Sequence, residues 1–280
     1  MSSKINPHQP KPTSLASMFG AALQHRQLLM QMIKREVVGR YRGSILGMAW
    51  SFFNPLLMLS VYTFVFTTVF KARWAGPTPV GKADFALLVF VGLVVHGLLA
   101  ECINKAPSLI TSNVNYVKKV VFPLDLLAWV LVGSALFHAG ISLAVLLCAE
   151  LLLMGTIPWT VVLFPMVVLP IVLGVMGVSW FLAASGVYLR DIAQVTGIVS
   201  SVLLFISPVF YPAASLPEWV RPWLNLNPLT YIIEEGRNTL IFGVVPSWGA
   251  WLVAMSIGLL VAWLGYIWFQ KTRKGFADVL

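Results

Sequence analysis

Residues 126–154 read LLAWVLVGSALFHAGISLAVLLCAELLLM, 29 positions carrying one carboxylate, Glu150, and no Lys or Arg. A helix of that length rises roughly 43 Å at 1.5 Å per residue, more than the hydrocarbon core of about 30 Å that some 20 apolar residues cross. The stretch therefore reads as a membrane helix that tilts or protrudes. Five further apolar runs share its character, at 48–70, 85–103, 161–189, 193–211 and 248–269. The fold class expected is an all-α integral membrane protein with six transmembrane helices.

Composition agrees with that reading. Of 280 residues, 59% are hydrophobic and 10% charged, against roughly 25% charged in soluble domains. Mean hydropathy is +0.85, which leaves no room for a charged exterior and largely excludes a soluble enzyme. Cys102 and Cys148 lie in apolar runs away from any His or second Cys, so neither a disulfide framework nor a zinc site is expected. The net charge of +9 would suggest nucleic acid in a soluble chain. Here Lys and Arg gather at the ends of apolar runs, and no nucleic-acid partner is expected.

Six spans put both termini on one side. Counting Lys and Arg in the connecting segments gives 14 on the side of the termini and 5 on the other. The positive-inside rule makes the richer side cytoplasmic, which predicts a multi-pass membrane protein, N-in and C-in. The organisation expected is a cytoplasmic N-terminus at 1–47, a transmembrane domain at 48–269 and a cytoplasmic tail at 270–280. The polar start, with Pro7, Pro10 and Pro12, lacks the apolar core of a secretory signal.

Before the first span, Leu15, Met18, Phe19, Ala22, Leu29, Met30, Ile33 and Val37 recur at helical steps. They predict an amphipathic helix lying in the cytoplasmic interface or packing on the bundle. Gly39, Gly43 and Gly47 repeat every four residues and would permit close helix contact. Pro165 and Pro170 should kink the fourth span. The outer segment 212–247 is too apolar for a solvated loop and is expected to re-enter or lie at the interface. Asn227-Pro228 supplies an N-cap and first turn, and Gly243 a stop. A shorter helix is expected near 218–224. Trp219, Trp223 and Tyr231 suit headgroup depth.

Chemical motifs are scarce. Gly76, Gly81 and Lys82 match phosphate-loop spacing, but Ala83 stands where Ser or Thr is needed and Pro77 and Pro79 interrupt. No cofactor is expected in this chain. His96 and His138 are the deep ionisable groups, with Glu101, Asp125 and Glu150 near span ends. That is too few for the relay of an ion-coupled carrier. Asp191, Glu218, Glu234 and Glu235 do not form the acid pair that an enzyme of lipid-linked sugar metabolism would need.

Aromatic placement is more informative. Tyr62, Phe66 and Phe70 fall one turn apart, and the fifth run ends with Phe205, Phe210 and Tyr211. Such rings could stack on sugar faces along a substrate path, or pack against lipid with an interfacial belt.

Several blocks resemble one family. RYRGSILGMAW at 40–50 with NPL at 54–56, NYVKKVVFP at 115–123, YLRD at 188–191, NPLT at 227–230 and EGR at 235–237 are similar, in the same order, to membrane subunits of polysaccharide-exporting ATP-binding-cassette transporters. The likeness covers the chain from about residue 14 onward, and GFADVL at 275–280 looks most like Gram-negative O-antigen exporters. It implies a channel-forming permease working as a homodimer with two copies of a separate ATPase, which binds ATP and Mg. The cargo implied is an undecaprenyl-linked polysaccharide, moved amid membrane lipids. By the same resemblance the loop 104–122 is the ATPase-coupling element, through Pro107, Ser108, Ser112, Asn115, Tyr116, Lys118 and Lys119. Trp219, Trp223, Asn227, Pro228 and Tyr231 then sit at the outer gate.

Overall fold

The structure is a computed structural model and describes residues 12–69, 82–118 and 122–280. Its helices are α1 (Leu15–Gln24), α2 (Arg26–Arg40), α3 (Trp50–Phe64), α4 (Lys82–Lys105), α5 (Val114–Lys118), α6 (Leu126–Met154), α7 (Phe164–Tyr188), α8 (Ile192–Ile206), α9 (Arg221–Asn225), α10 (Pro228–Leu240), α11 (Trp248–Thr272) and α12 (Phe276–Val279). Among the described residues there is no strand.

Among the described residues, four stretches are long and apolar enough to cross a membrane: Phe85–Ser108, Leu126–Met154, Trp159–Tyr188 and Trp248–Val279. They coincide with four of the six expected spans. The other two fall on α3 and α8, of 15 residues each, short of the ~20 residues that a crossing takes. α3 continues into a π turn, Val65–Val69. α8 stops at Ile206 because Ser207 precedes Pro208 and is extended, at φ −73° and ψ 151°; a residue before proline is driven out of the helical region. The sequence run 193–211 is therefore helical only in its first part.

The N-terminal segment is two helices broken at His25 rather than one. Met18, Ala21, Met32 and Val37 are buried, while Leu15 and Met30 are exposed. α2 lies along α6, with the Ile33 side chain occupying the space that a Cβ at Gly133 would need. The apolar stripe thus packs on protein along most of its length.

The most extensive helix pair is α7 with α11, and glycine makes it so. A Cβ at Gly177 would overlap the Val261 carbonyl, one at Gly265 the Gly177 carbonyl, and one at Gly258 the Pro170 carbonyl. Membrane helices gain from such close approach through dispersion, since lipid removes the usual hydrophobic drive. The repeat of Gly39, Gly43 and Gly47 does something else. No atom lies within 4 Å of a Cβ built at any of the three, and Gly43 and Gly47 have φ of 86° and 51°. These two shape a turn between α2 and α3, a left-handed conformation that L side chains resist, and are not a helix-contact face in this chain. Pro165 sits in the first turn of α7, where no backbone donor is lost, and Pro170 is the proline inside that helix.

The connection after α8 forms as its residues suggest. The Asn227 side chain accepts from Leu229 N at 3.0 Å, Pro228 opens α10, and Gly243 takes φ 69° just past its end. α9 occupies Arg221–Asn225, slightly later than expected. The C-terminal residues are not a free tail: Arg273 pairs with Asp125 at 3.6 Å, both buried, and the Phe276 ring meets Phe269 at 5.6 Å.

Candidate translocation face, coupling end and outer clamp

Of the six residues expected on a substrate path, four form one ring cluster. Tyr62 and Phe66 stack at 6.3 Å between centroids with planes 25° apart. Phe210, carried on the turn after Ser207, meets Tyr62 at 6.2 Å, Phe66 at 5.8 Å and Phe205 at 6.0 Å. Phe66 also meets Phe85 of α4 at 5.3 Å. The cluster exists because Pro208 ends α8 and turns Phe210 back toward α3. Tyr211 takes another role: its hydroxyl donates to the carbonyls of Ile206 at 2.8 Å and Phe205 at 3.2 Å, capping the end of α8. Phe70 lies outside the described residues.

Tyr62, Phe66 and Phe210 are half-buried, while Phe205 is 68% exposed. Around them runs a wide apolar surface. α3 exposes Phe53, Leu57, Val61 and Phe64, and α8 exposes Val195, Ile198 and Val202, each set at helical spacing on one face. α3 and α8 both pack on α4, so the two faces border the same region of the chain. Rings stacked and tilted against one another in this way offer repeated apolar contacts without fixed hydrogen bonds.

At the opposite end, α4 leads into the turns Ala106–Ser108 and Thr111–Asn113 and then α5. Here Pro107, Ile110 and Val117 are buried, and Ser108, Ser112, Asn115 and Lys118 are exposed, a spacing that lines one side of a helix-like path. Ser112 Oγ donates to the Ser108 carbonyl at 2.7 Å. Three ties fasten the segment to the bundle. A Cβ at Gly186 would overlap the Pro107 carbonyl, so α7 presses directly on the first turn. Arg35 of α2 donates to the Tyr116 hydroxyl at 2.8 Å, and the Tyr116 ring stacks on Phe122 at 4.6 Å. Lys119 lies outside the described residues.

Next to this end sits an ionic cluster that sequence reading missed. Glu101 accepts from Arg40 at 2.7 Å, Lys105 at 3.0 Å and His138 Nδ1 at 3.0 Å. It joins α2, α4 and α6 and borders a cavity of about 220 Å³ that Asn54 and Ser142 also line. A carboxylate and a His 37 residues apart gave no periodic signal; only the packing of α4 on α6 brings them together. His96, by contrast, bonds the Ser200 carbonyl at 3.0 Å, a packing contact. Among the described residues no group of three or more His, Cys, Asp or Glu could hold a metal.

The outer segment is held by Arg237, which is fully buried. Its Nε donates to Leu88 O at 3.0 Å, one terminal nitrogen to Val209 O at 2.8 Å and the other to Glu234 at 2.9 Å. Asn227 Nδ2 donates to Ser207 Oγ at 2.8 Å, and Ser247 Oγ donates to Glu235 at 2.7 Å. α10 is thus pinned to α4, to the α8 turn and to the start of α11. Of the residues assigned to an outer gate, Asn227, Pro228 and Tyr231 belong to this pinned helix, whereas Trp219 and Trp223 stand 76% and 70% exposed. Arg237 was readable as a signal, since an arginine inside an apolar segment is costly unless partnered.

Comparison with known proteins accords with this architecture. Residues 27–241 match the sequence family described as ABC-2 type transporter. The chain is 28% identical over 257 residues to the O-antigen export system permease protein RfbA of Myxococcus xanthus, covering 91% of this chain and 96% of that one. It is 23% identical over 258 residues to the protein of the same name from Klebsiella pneumoniae, covering 90% and 95%. A shorter likeness, 33% over 87 residues and 30% of each chain, is to the daunorubicin resistance ABC transporter permease protein DrrB1 of Streptomyces coeruleorubidus. With the family match spanning most of its helical bundle, this chain belongs to the ABC-2 type transporters.

Proposed function

We propose that the chain is the permease of an O-antigen export system, moving an undecaprenyl-linked polysaccharide across the inner membrane. The observation that carries the reading is end-to-end similarity to O-antigen export permeases together with the aromatic cluster beside the exposed faces of α3 and α8. The likeness to the drug exporter covers under a third of the chain and carries less.

As an ABC-family permease the subunit works with an ATP-binding partner. In this reading two copies of the chain face each other across α3 and α8 and are driven by two ATPase subunits, which hold ATP and Mg. A polymer sliding between them needs contacts that are many and individually weak, and rings meet that need. Charge distribution supports six spans with both termini cytoplasmic; α3 with its π turn and α8 with the turn beyond it would be the first and fifth. The exposed strip Ser108, Ser112, Asn115 and Lys118 is the surface offered to the ATPase, and the pinned α10 closes the outer end.

The test is reconstitution of the chain with an ATP-binding subunit of an O-antigen exporter from the same organism, in vesicles containing an undecaprenyl-linked O-polysaccharide. ATP-dependent transfer of the glycan to the opposite leaflet is the expected result. Transport without the ATPase, or turnover of the glycan by the chain alone, would replace this reading with an ion-coupled carrier or an enzyme.

A further inference from the structure

A cavity of about 730 Å³ lies between α4, α7, α10 and α11, away from the ring cluster. On α11 it is lined by Ala250, Val253, Ala254, Ile257, Gly258 and Val261, one face of the helix from its first turn to its middle. The eleven steps of helix from Ala250 to Val261 rise about 16 Å, close to one leaflet of a hydrocarbon core of about 30 Å. Val253 and Ile257 line the slot and are also exposed, so it opens sideways toward the bilayer.

Polarity divides the slot along its length. The half toward the middle of α11 is apolar, while Thr230, Tyr231, Glu234 and Glu235 of α10 sit at the end where α11 begins. Among the described residues the Thr230 hydroxyl has no hydrogen-bond partner, although the residue is only 6% exposed. A buried hydroxyl left unpaired is costly, and an apolar void forfeits the dispersion of its wall. One molecule satisfies both: an acyl chain along the slot whose ester carbonyl accepts from Thr230.

We infer that this slot binds the acyl chain of a membrane phospholipid, with the headgroup at the rim formed by Glu234 and Glu235. Glu234 accepts from Arg237 and the Ala213 N–H on one oxygen, and Glu235 accepts from Ser247 on one oxygen and from Asn238 on the other. Arg237 neutralises Glu234, so the carboxylate of Glu235 gives the rim its net charge, which disfavours a net anionic lipid and suits an ammonium-bearing, zwitterionic headgroup. The bound lipid fills the space between α10 and the α7–α11 pair. A polyisoprenoid carrier is far longer than one leaflet and does not fit a slot of this length.

Gly174 lines the slot and has nothing within 4 Å of a built Cβ, so Gly174→Leu fills the space without displacing backbone. Ala254→Leu fills it from the opposite wall, and Gly20→Leu, also at an open glycine, is the control. The full-length protein, purified in mild detergent, is examined by native mass spectrometry and by analysis of co-purifying lipids. It is then delipidated and titrated with phosphatidylethanolamine or phosphatidylglycerol of identical acyl chains. The expected result is one phosphatidylethanolamine per chain, retained severalfold less by both filling variants and normally by Gly20→Leu. Equal retention in the filling variants, no preference over phosphatidylglycerol, or a polyprenyl lipid in place of the phospholipid would overturn the inference.

Discussion

Arg237 of α10 donates to the main-chain carbonyl of Leu88 on α4, at 3.0 Å, across 149 residues of sequence. That bond, with those to Val209 and Glu234, makes one side chain the anchor of the whole outer segment. Arg237→Met leaves the buried carbonyls of Leu88 and Val209 without their donor and a partly exposed Glu234 without its cation, and should destabilise the protein by about 1–3 kcal/mol, the cost of leaving buried polar groups unsatisfied. Arg237→Lys should rescue little, because a single ammonium cannot reach three divergent acceptors. Thermal unfolding of the purified chain checks both.

The α7–α11 seam predicts a sharp contrast among glycines. Gly265→Val places a side chain on the Gly177 carbonyl and should cost at least about 1–3 kcal/mol, the usual range for overpacking, with loss of folded protein from the membrane. Gly140→Ala, where a Cβ meets nothing within 4 Å, should leave the yield and melting temperature near wild type. Equal effects at the two sites would mean that the seam does not hold the bundle.

Ring removal separates packing from transport. Phe210 touches three other rings, so Phe210→Ala should lower stability by roughly 1–3 kcal/mol, below the full core penalty because the ring is half-buried. Phe205 is largely exposed, and Phe205→Ala should leave the melting temperature unchanged while reducing glycan export by cells carrying the variant. Normal export by Phe205→Ala, with cysteines at 205 labelled solely from the lipid phase, would show this face to be bilayer-facing.

At the coupling end, Lys118→Glu reverses charge on an exposed position, and Ser112→Pro breaks the turn held by the Ser108 carbonyl. Both should leave the membrane fold intact and uncouple ATP hydrolysis from export. Tyr116→Phe removes only the hydroxyl that accepts from Arg35, and a smaller loss of coupling is expected. ATPase activity and export measured on the same vesicles distinguish these outcomes, and full export in Lys118→Glu and Ser112→Pro would remove the docking assignment.

The amino-acid sequence by itself determined the solvent of this protein and the positions of its long helices. Runs such as 126–154 leave backbone groups no partner in hydrocarbon except within a helix, so Leu126–Met154 forms with the bounds that composition dictates. Local chemistry was equally legible where it acts within a few residues, as at Asn227, which caps α10, and Gly243 beyond its end. Tertiary structure decided the rest, because each remaining feature joins residues far apart in the chain. Periodicity could not show that Phe210 turns back onto Tyr62 and Phe66, that Glu101 gathers Arg40 and His138, or that Gly177 meets Gly265. The four-residue repeat of Gly39, Gly43 and Gly47 matched a packing motif by spacing and became a turn instead. A small residue permits close approach, but only the neighbouring helix decides whether anything approaches.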